Sequence, residues 1–306
     1  MPRPDAPVSS FTLGPALLFC PGSRPDRFGK AAERSDAVIV DLEDAVTTAE
    51  KPAARAAAVT AITGGDDDVP ALDPAVTVVR LNGVSFGELD ADLAALEGSP
   101  VRHVVVAKAE DLGVLDHVAA ALPDARLIPQ VESPIGVLNA PALASHPAVE
   151  ALFWGTEDMI AGLGGTTART ADGAYRSVIR HIRHSVLIAA GAAGVPALDA
   201  INTGIRDLPR LAAEAEDACA SGFVAKACVH PHQVETVRRA YTPDAGEVEW
   251  AKALLVALRQ EAGADADPLT VGAFSFRGQM VDAPVALQAQ RIMARYDATR
   301  VHQPGE

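Results

Sequence analysis

Eight short apolar runs, rich in Val, Ile, Leu and Ala, recur along the chain with helix-like stretches between them, and no other feature limits its fold so strongly. They are ALLFCPG (16–22), AVIVDLED (37–44), VTVVRLN (76–82), HVVVAKA (103–109), RLIPQVES (126–133), VEALFWG (149–155), VPALDAI (195–201) and GFVAKACVHP (222–231). Their apolar character is continuous rather than alternating, as a strand covered on both faces requires. Helical patterns fall between them, over residues 86–96 and 174–193 for example. Eight β–α repeats in series predict an α/β fold, a (β/α)8 TIM barrel, with a doubly wound open sheet as the alternative that pattern alone leaves open. A chain of 306 residues has room for one barrel of ~250 residues.

The repeat stops near residue 242. Residues 242–264 read as a helix with Thr242 as N-cap and Pro243 at the first helical position. Residues 273–296 read as a short extended piece and a final helix. The expected organisation is a flexible N-terminal tail over 1–13, the barrel over 14–242, and a C-terminal helical arm or lid over 243–306 that packs on the barrel or on another subunit.

Nearly every run ends in a charged or hydrogen-bonding residue: Arg24 just past the first, then Asp41, Glu43, Asp44, Arg80, Lys108, Glu132, Asp158, Asp199 and His230. In a parallel barrel these ends share one rim, where active sites are assembled. A solvated rim also collects charge, so the informative point is the mixture of acids and bases.

Glu132 and Asp158 each follow apolar residues and stand 26 positions apart, close to one strand–helix unit. A carboxylate among apolar neighbours is costly unless paired or bound to a cation. Taken singly, each fits a helix N-cap or an arginine ion pair equally well; as a pair they point to a hard divalent ion. Mg2+ takes one or two protein carboxylates and keeps waters or substrate oxygens elsewhere. Glu43 and Asp44 would hold metal-bound waters, or else complement the dipole of the next helix. Arg80 would fork onto a substrate carboxylate or stabilise an enolate, or else pair with Glu132 or Asp158. Arg24 and Lys30 offer anion contacts at a helix start.

Other chemistries are poorly supported. The chain has no GxxxxGK[ST] or GxSxG pattern and no cysteine with an obvious histidine partner. GLGGTTART (162–170) reads as a mobile loop and the acidic GGDDDVPALDP (64–74) as a solvated one. Lys108 suits a Schiff-base aldolase, but that mechanism needs neither Glu132 nor Asp158. His230 reads as a rim hydrogen-bonding group. A formal net charge of −14 disfavours non-specific binding to nucleic acid or an anionic membrane, though not a small anionic substrate. The three cysteines form no CxxC pair, no apolar run reaches the ~18–20 residues of a membrane span, and the first residues lack a signal peptide's apolar core, so a cytoplasmic location is expected.

The stretches LLFCPGSRPDRFGKAA (17–32), VIVDLEDAV (38–46), VVRLNG (78–83), PQVESPIGVLNA (129–140), WGTEDM (154–159), FVAKACVHPHQV (223–234) and GQMVDAPV (278–285) together resemble the citrate lyase β-subunit-like (CitE-like) proteins of the HpcH/HpaI aldolase family. LGGTTARTADGAYR (163–176) and GAFSFRGQMVDAPV (272–285) resemble its stand-alone CoA-ester lyase branch, and the likeness runs in order from about residue 16 to 296. The resemblance implies a (β/α)8 barrel in a homotrimer or higher homo-oligomer. It implies Mg2+-dependent cleavage of a malyl-CoA- or citramalyl-CoA-like β-hydroxyacyl thioester to acetyl-CoA and an α-keto acid. Glu132 and Asp158 match the metal ligands, and Arg80 the substrate-binding arginine. Phe19, Arg24 and Lys30 match contacts to the CoA-linked substrate, and Asp282 an acid/base lent to a neighbouring subunit's site. Pro15 and Ala16 stand where many relatives carry an Arg-Ser pair, which bears on the choice of CoA over an acyl carrier. The alternatives are the β subunit of a citrate lyase complex, and a malyl-CoA thioesterase or malate synthase-like activity.

Overall fold

All eight apolar runs contain a strand in the computed structural model, which describes residues 11–84, 87–262 and 272–301, the side chains of 262, 300 and 301 excepted. In chain order these are Ala16–Pro21 (β1), Ala37–Asp41 (β2), Thr77–Leu81 (β3), His103–Val106 (β4), Arg126–Val131 (β5), Leu152–Trp154 (β6), Ala197–Asp199 (β7) and Ala225–Cys228 (β8). Each pairs in parallel with its sequence neighbours, and β1 pairs with β8, so the sheet closes into a barrel. Closure excludes the open doubly wound sheet. Between and after the strands run Phe28–Arg34 (α1), Lys51–Ile62 (α2), Leu89–Leu96 (α3), Leu112–Ala121 (α4), Pro134–Ala144 (α5), Glu157–Gly162 (α6), Ser177–Ala193 (α7), Leu208–Ser221 (α8) and Pro231–Tyr241 (α9).

Side chains alternate across a strand with period two, so each strand shows one set of residues to the barrel interior and the other to the helices. The interior set includes Leu17, Ile39, Val78, Val105, Ile128, Phe153, Leu198 and Ala227, one from every strand, packed as one buried cluster. Leu13 belongs to the same cluster at 1% exposure, with Phe11 packed against it. The expected tail over 1–13 is therefore corrected at its end: Leu13 is a core residue with the half-buried Phe11 against it, and residues 1–10 lie outside the described residues. Strand-to-helix turns are set by side-chain caps at Asp111, Ser133 and Asp207, and α7 stops at Gly194, whose φ of +73° suits a residue without a Cβ.

The chain divides into two compact units, Met1–Arg238 and Arg239–Glu306. The second holds Ala245–Ala262 (α10), the antiparallel strands Phe274–Phe276 (β9) and Gln279–Val281 (β10), and Ala283–Val301 (α11). Leu254, Leu258, Ala286, Ala289 and Ile292, spaced three or four apart along each helix, form its core. The expected start of α10 is corrected. Thr242 and Pro243 precede it, because Asp244 makes the better cap: its Oδ1 accepts from Glu247 N (2.8 Å) while Glu247 Oε2 accepts from Asp244 N (2.9 Å). Among the described residues no helix is long and apolar enough to cross a membrane.

Candidate active site

The interior parity that buries Ile39, Val78 and Ile128 also aims the next inward residues at the C-terminal rim. These are Asp41 on β2, Arg80 on β3, Gln130 on β5 and Glu132 just beyond it, with Phe19 on β1. Together with Asp44, Phe153, Trp154, Asp158, Ile201 and Val229 they line a cavity of about 390 Å³. Half of the lining residues are apolar and acids dominate the polar ones, a make-up suited to a small ligand.

Glu132 is buried and held from two sides. It lies between the end of β5 and Ser133, whose Oγ caps α5 by accepting from Gly136 N (3.1 Å). Its Oε1 accepts from the backbone N–H of Lys108 (3.0 Å) and its Oε2 from Gln130 Nε2 (2.6 Å). A Cβ on Gly155 would sit 2.8 Å from Glu132 Oε2, so glycine at the end of β6 makes room for the carboxylate. Burial, then the neighbouring Glu43 charge, pushes the Glu132 carboxyl up to about 8, with Lys108 and Arg80 opposing.

Arg80 is 7% exposed and its fork is occupied within the protein. Nε donates to Asp41 Oδ1 (2.7 Å) and Nη2 to Asp41 Oδ2 (2.6 Å), a bidentate pair that follows from the β2–β3 register opposing these two residues. Nη1 lies 3.2 Å from Glu43 Oε2, and the guanidinium carbon stands 4.8 Å from the centre of the Phe19 ring. Burial lowers the pKa of this arginine, but Asp41 outweighs it and holds the group above its ordinary value. The expectation of a free fork, or of a pair with Glu132 or Asp158, is corrected: the fork belongs to Asp41, and Nη1 is the nitrogen turned to the acidic cluster.

Glu43 and Asp44 follow β2 in a loop whose backbone is gripped from below: Lys51 Nζ donates to Leu42 O (2.8 Å) and Glu43 O (3.0 Å). Lys108 Nζ reaches Glu43 Oε1 (2.5 Å), Asp158 Oδ2 (3.2 Å) and Asp44 Oδ1 (3.8 Å). Burial raises the Glu43 carboxyl pKa, against the pull of Arg80 and Lys108. Asp158 sits in the first turn of α6 rather than at the end of β6, and its side chain is 42% exposed, so the expectation of a buried strand-end acid holds for Glu132 and not for Asp158.

The donor set fits a hard divalent cation. Glu43 Oε2 and Gln130 Oε1 are buried oxygens that accept no hydrogen bond, and Glu132 and Asp158 present carboxylates to the same cavity. No three His, Cys, Asp or Glu among the described residues form a complete cage, so any ion here needs waters or substrate oxygens as further ligands.

The remaining expected residues fall elsewhere. Arg24 is exposed and forks onto Asp26 (2.8 and 2.7 Å); neither it nor the exposed Lys30 lines the cavity. Asp282 lies in the second unit just ahead of α11, where its Oδ1 accepts from Val285 N (3.4 Å). Asp199 ends β7, but its parity turns it away from the interior, where it binds Lys226 (2.8 Å), Arg183 (2.9 Å) and Trp154 Nε1 (2.8 Å). His230 stacks edge-on against His232, 4.7 Å between centres. The 163–176 segment is tied down by Arg169, which donates to Glu214 (2.5 Å) and lies over the Tyr175 ring (4.0 Å). Sequence reasoning passed over Asp41 and Gln130 as partners of Arg80 and Glu132, and Lys108 as the centre of the acids. Strand parity marks the first two; a backbone turn places the third.

The HpcH/HpaI aldolase/citrate lyase family profile matches residues 16–231. A citrate lyase subunit beta-like protein of Mycobacterium tuberculosis is 43% identical over 282 residues, covering 92% of this chain and 95% of its own. The mitochondrial citramalyl-CoA lyase of Homo sapiens is 29% identical over 298 residues, covering 90% of this chain and 83% of its own. The solved structure of CitE from Mycobacterium tuberculosis in complex with magnesium, acetoacetate and coenzyme A is similar at a TM-score of 0.79 and 43% identity, covering 93% of this chain and 98% of that one.

Proposed function

The chain belongs to the HpcH/HpaI aldolase/citrate lyase family and is a lyase of that family, and from this premise we propose that it cleaves the C–C bond of a malyl-CoA- or citramalyl-CoA-type thioester to acetyl-CoA and an α-keto acid, with Mg2+ as cofactor. The observation that carries the reading is the meeting of Glu132, Asp158 and the buried Arg80 guanidinium around one cavity. CitE of Mycobacterium tuberculosis, similar along nearly the whole chain, is known with magnesium, a keto acid and coenzyme A.

Glu132 and Asp158 would hold the ion, and Glu43 and Asp44 the waters around it. When bound, it draws charge from the substrate's carboxylate and β-oxygen and lowers the hydroxyl pKa. Gln130, the Lys108 amide and the space left by Gly155 fix the Glu132 oxygens before substrate arrives, so little reorganisation remains during reaction. As the β-hydroxyl gives its proton to a carboxylate at the rim, its oxygen becomes the keto oxygen and the electron pair of the broken bond to the α-carbon moves into the thioester enolate. Arg80, clamped on Asp41 and backed by Phe19, presents a fixed positive charge there. Phe153 and Trp154 give the cavity an apolar wall, and an enolate held against it would be protonated at carbon in preference to hydrolysis of the thioester. Asp282 of a neighbouring copy would deliver that proton, in a homotrimer or larger closed assembly, while Arg24 and Lys30 meet the CoA portion.

The test is incubation of the purified protein with a panel of β-hydroxyacyl-CoA esters, with Mg2+ or EDTA, and mass detection of products. The expected products are a shortened acyl-CoA and an α-keto acid in equal amounts. Free CoA with the intact hydroxy acid would make the protein a thioesterase instead.

A further inference from the structure

Lys108 carries contacts that the proposed reaction does not use. It follows β4 with φ of +50°, one of two non-glycine residues among those described in the left-handed region, a conformation that costs a residue with a Cβ ~1 kcal/mol. Glycine or asparagine would adopt it more readily, so a lysine here implies a use for its ammonium. That conformation turns the backbone N–H to Glu132 Oε1 (3.0 Å) and the ammonium toward Glu43 (2.5 Å) and Asp158 (3.2 Å). One residue therefore binds both proposed metal ligands, each with a different group.

With Arg80 committed to Asp41, Lys108 is the ammonium set among Glu43, Asp44 and Asp158. We infer that Lys108 is the built-in counter-ion of this acidic cluster and a positioning residue for Glu132 and Asp158, and that its ammonium competes with the divalent cation for Asp158. The inference rests on the metal reading given above. Arg80 Nη1 also faces Glu43 and Asp44, but most of that guanidinium's charge is met by Asp41. The Lys108 ammonium is therefore what draws Asp158 to the other acids without a dication, and the carboxylates together still leave enough negative charge to attract one. A cation arriving at Asp158 must displace or repel the ammonium, so binding is weaker than the acids alone would give. The consequence is a metal that exchanges readily rather than one locked in place.

The test is titration of chelator-stripped protein with Mg2+ by calorimetry, for the wild type, Lys108→Met and Lys108→Arg, with thermal unfolding in EDTA and in saturating Mg2+ alongside. Lys108→Met keeps the amide contact and loses the charge, so it should bind Mg2+ at least about tenfold more tightly, since a like charge within a few ångströms has gone. It should also melt lower than the wild type in EDTA and gain more from Mg2+. Lys108→Arg should return the affinity toward the wild-type value. Lys108→Gln serves in place of the methionine variant if that one does not fold. Wild-type or weaker Mg2+ affinity in the neutral variants overturns this inference alone, whereas absence of Mg2+ binding by the wild type overturns the metal reading and this inference with it.

Discussion

Two buried ion pairs sit on opposite faces of the same barrel wall, and a one-residue difference in parity decides what each does. Asp41 and Arg80 point inward beside the acids; Asp199 and Lys226 point outward among the helices. Arg80→Lys keeps a charge but loses the fork on Asp41, so it should lower kcat/KM at least tenfold and cost roughly 1–3 kcal/mol in urea unfolding. Wild-type values in both measurements would remove Arg80 from the site. Asp199→Asn leaves two buried cations short of their partner and should cost ~3–5 kcal/mol at neutral pH. Burial raises the Asp199 pKa, but Lys226 and Arg183 outweigh it and hold the group below its ordinary value. Its stabilisation is thus complete above the unfolded value of ~3.9 and is lost as pH falls through the lower folded one. Urea midpoints of the two proteins should therefore stay apart from pH 7 to 5 and converge only in strong acid; a constant gap into that range would contradict the pairing. The sequence makes the rim charges legible as a set, but pairing needs the register between strands, which one strand's residues do not encode. Asp41 looked equivalent to Glu43 and Asp44 for that reason, although it alone takes both arms of the Arg80 fork.

At the scale of elements, continuous apolar runs reveal all eight barrel strands, because burial on both faces leaves each with at most two polar residues and no alternation. The β9–β10 hairpin was less visible. Its two turn residues, Arg277 and Gly278, have φ of +51° and +79°, the geometry that Asn-Gly normally announces and Arg-Gly does not. Likewise Pro243 suggested a helix start two residues too early, whereas the reciprocal bonds of Asp244 and Glu247 fix it. Two caps with different neighbours separate stability from chemistry. Asp244→Ala should cost ~1 kcal/mol of unfolding free energy and leave kcat nearly unchanged. Ser133→Ala should cost a similar amount and also lower kcat, because Ser133 fixes the turn that carries Glu132. Equal kcat in both variants would show that the α5 cap does not position the acid.

On the whole molecule, barrel closure brings side chains from β1, β2, β3, β5 and β6 to one cavity, and strand order alone makes that much readable. What one chain's sequence does not supply is the source of Asp282's partners, since that residue lies in the second compact unit. If a neighbouring copy lends it, mixing Asp282→Asn with Arg80→Ala protein under subunit exchange should restore part of the activity that each lacks. Mixed oligomers without recovery would confine Asp282 to its own chain or remove it from the reaction. The proposed reaction depends on Glu132, the buried acid for which Gly155, Gln130 and Lys108 make a place. The direct measurement is the rate of keto acid formation from the best thioester of the panel as Mg2+ is varied, for the wild type and Glu132→Gln at matched thermal stability. The wild type should rise to a plateau with Mg2+ and fall to background in EDTA, with the variant at least ~100-fold lower at saturating Mg2+. Cleavage that survives EDTA, or a Glu132→Gln enzyme that turns over at the wild-type rate, would contradict it.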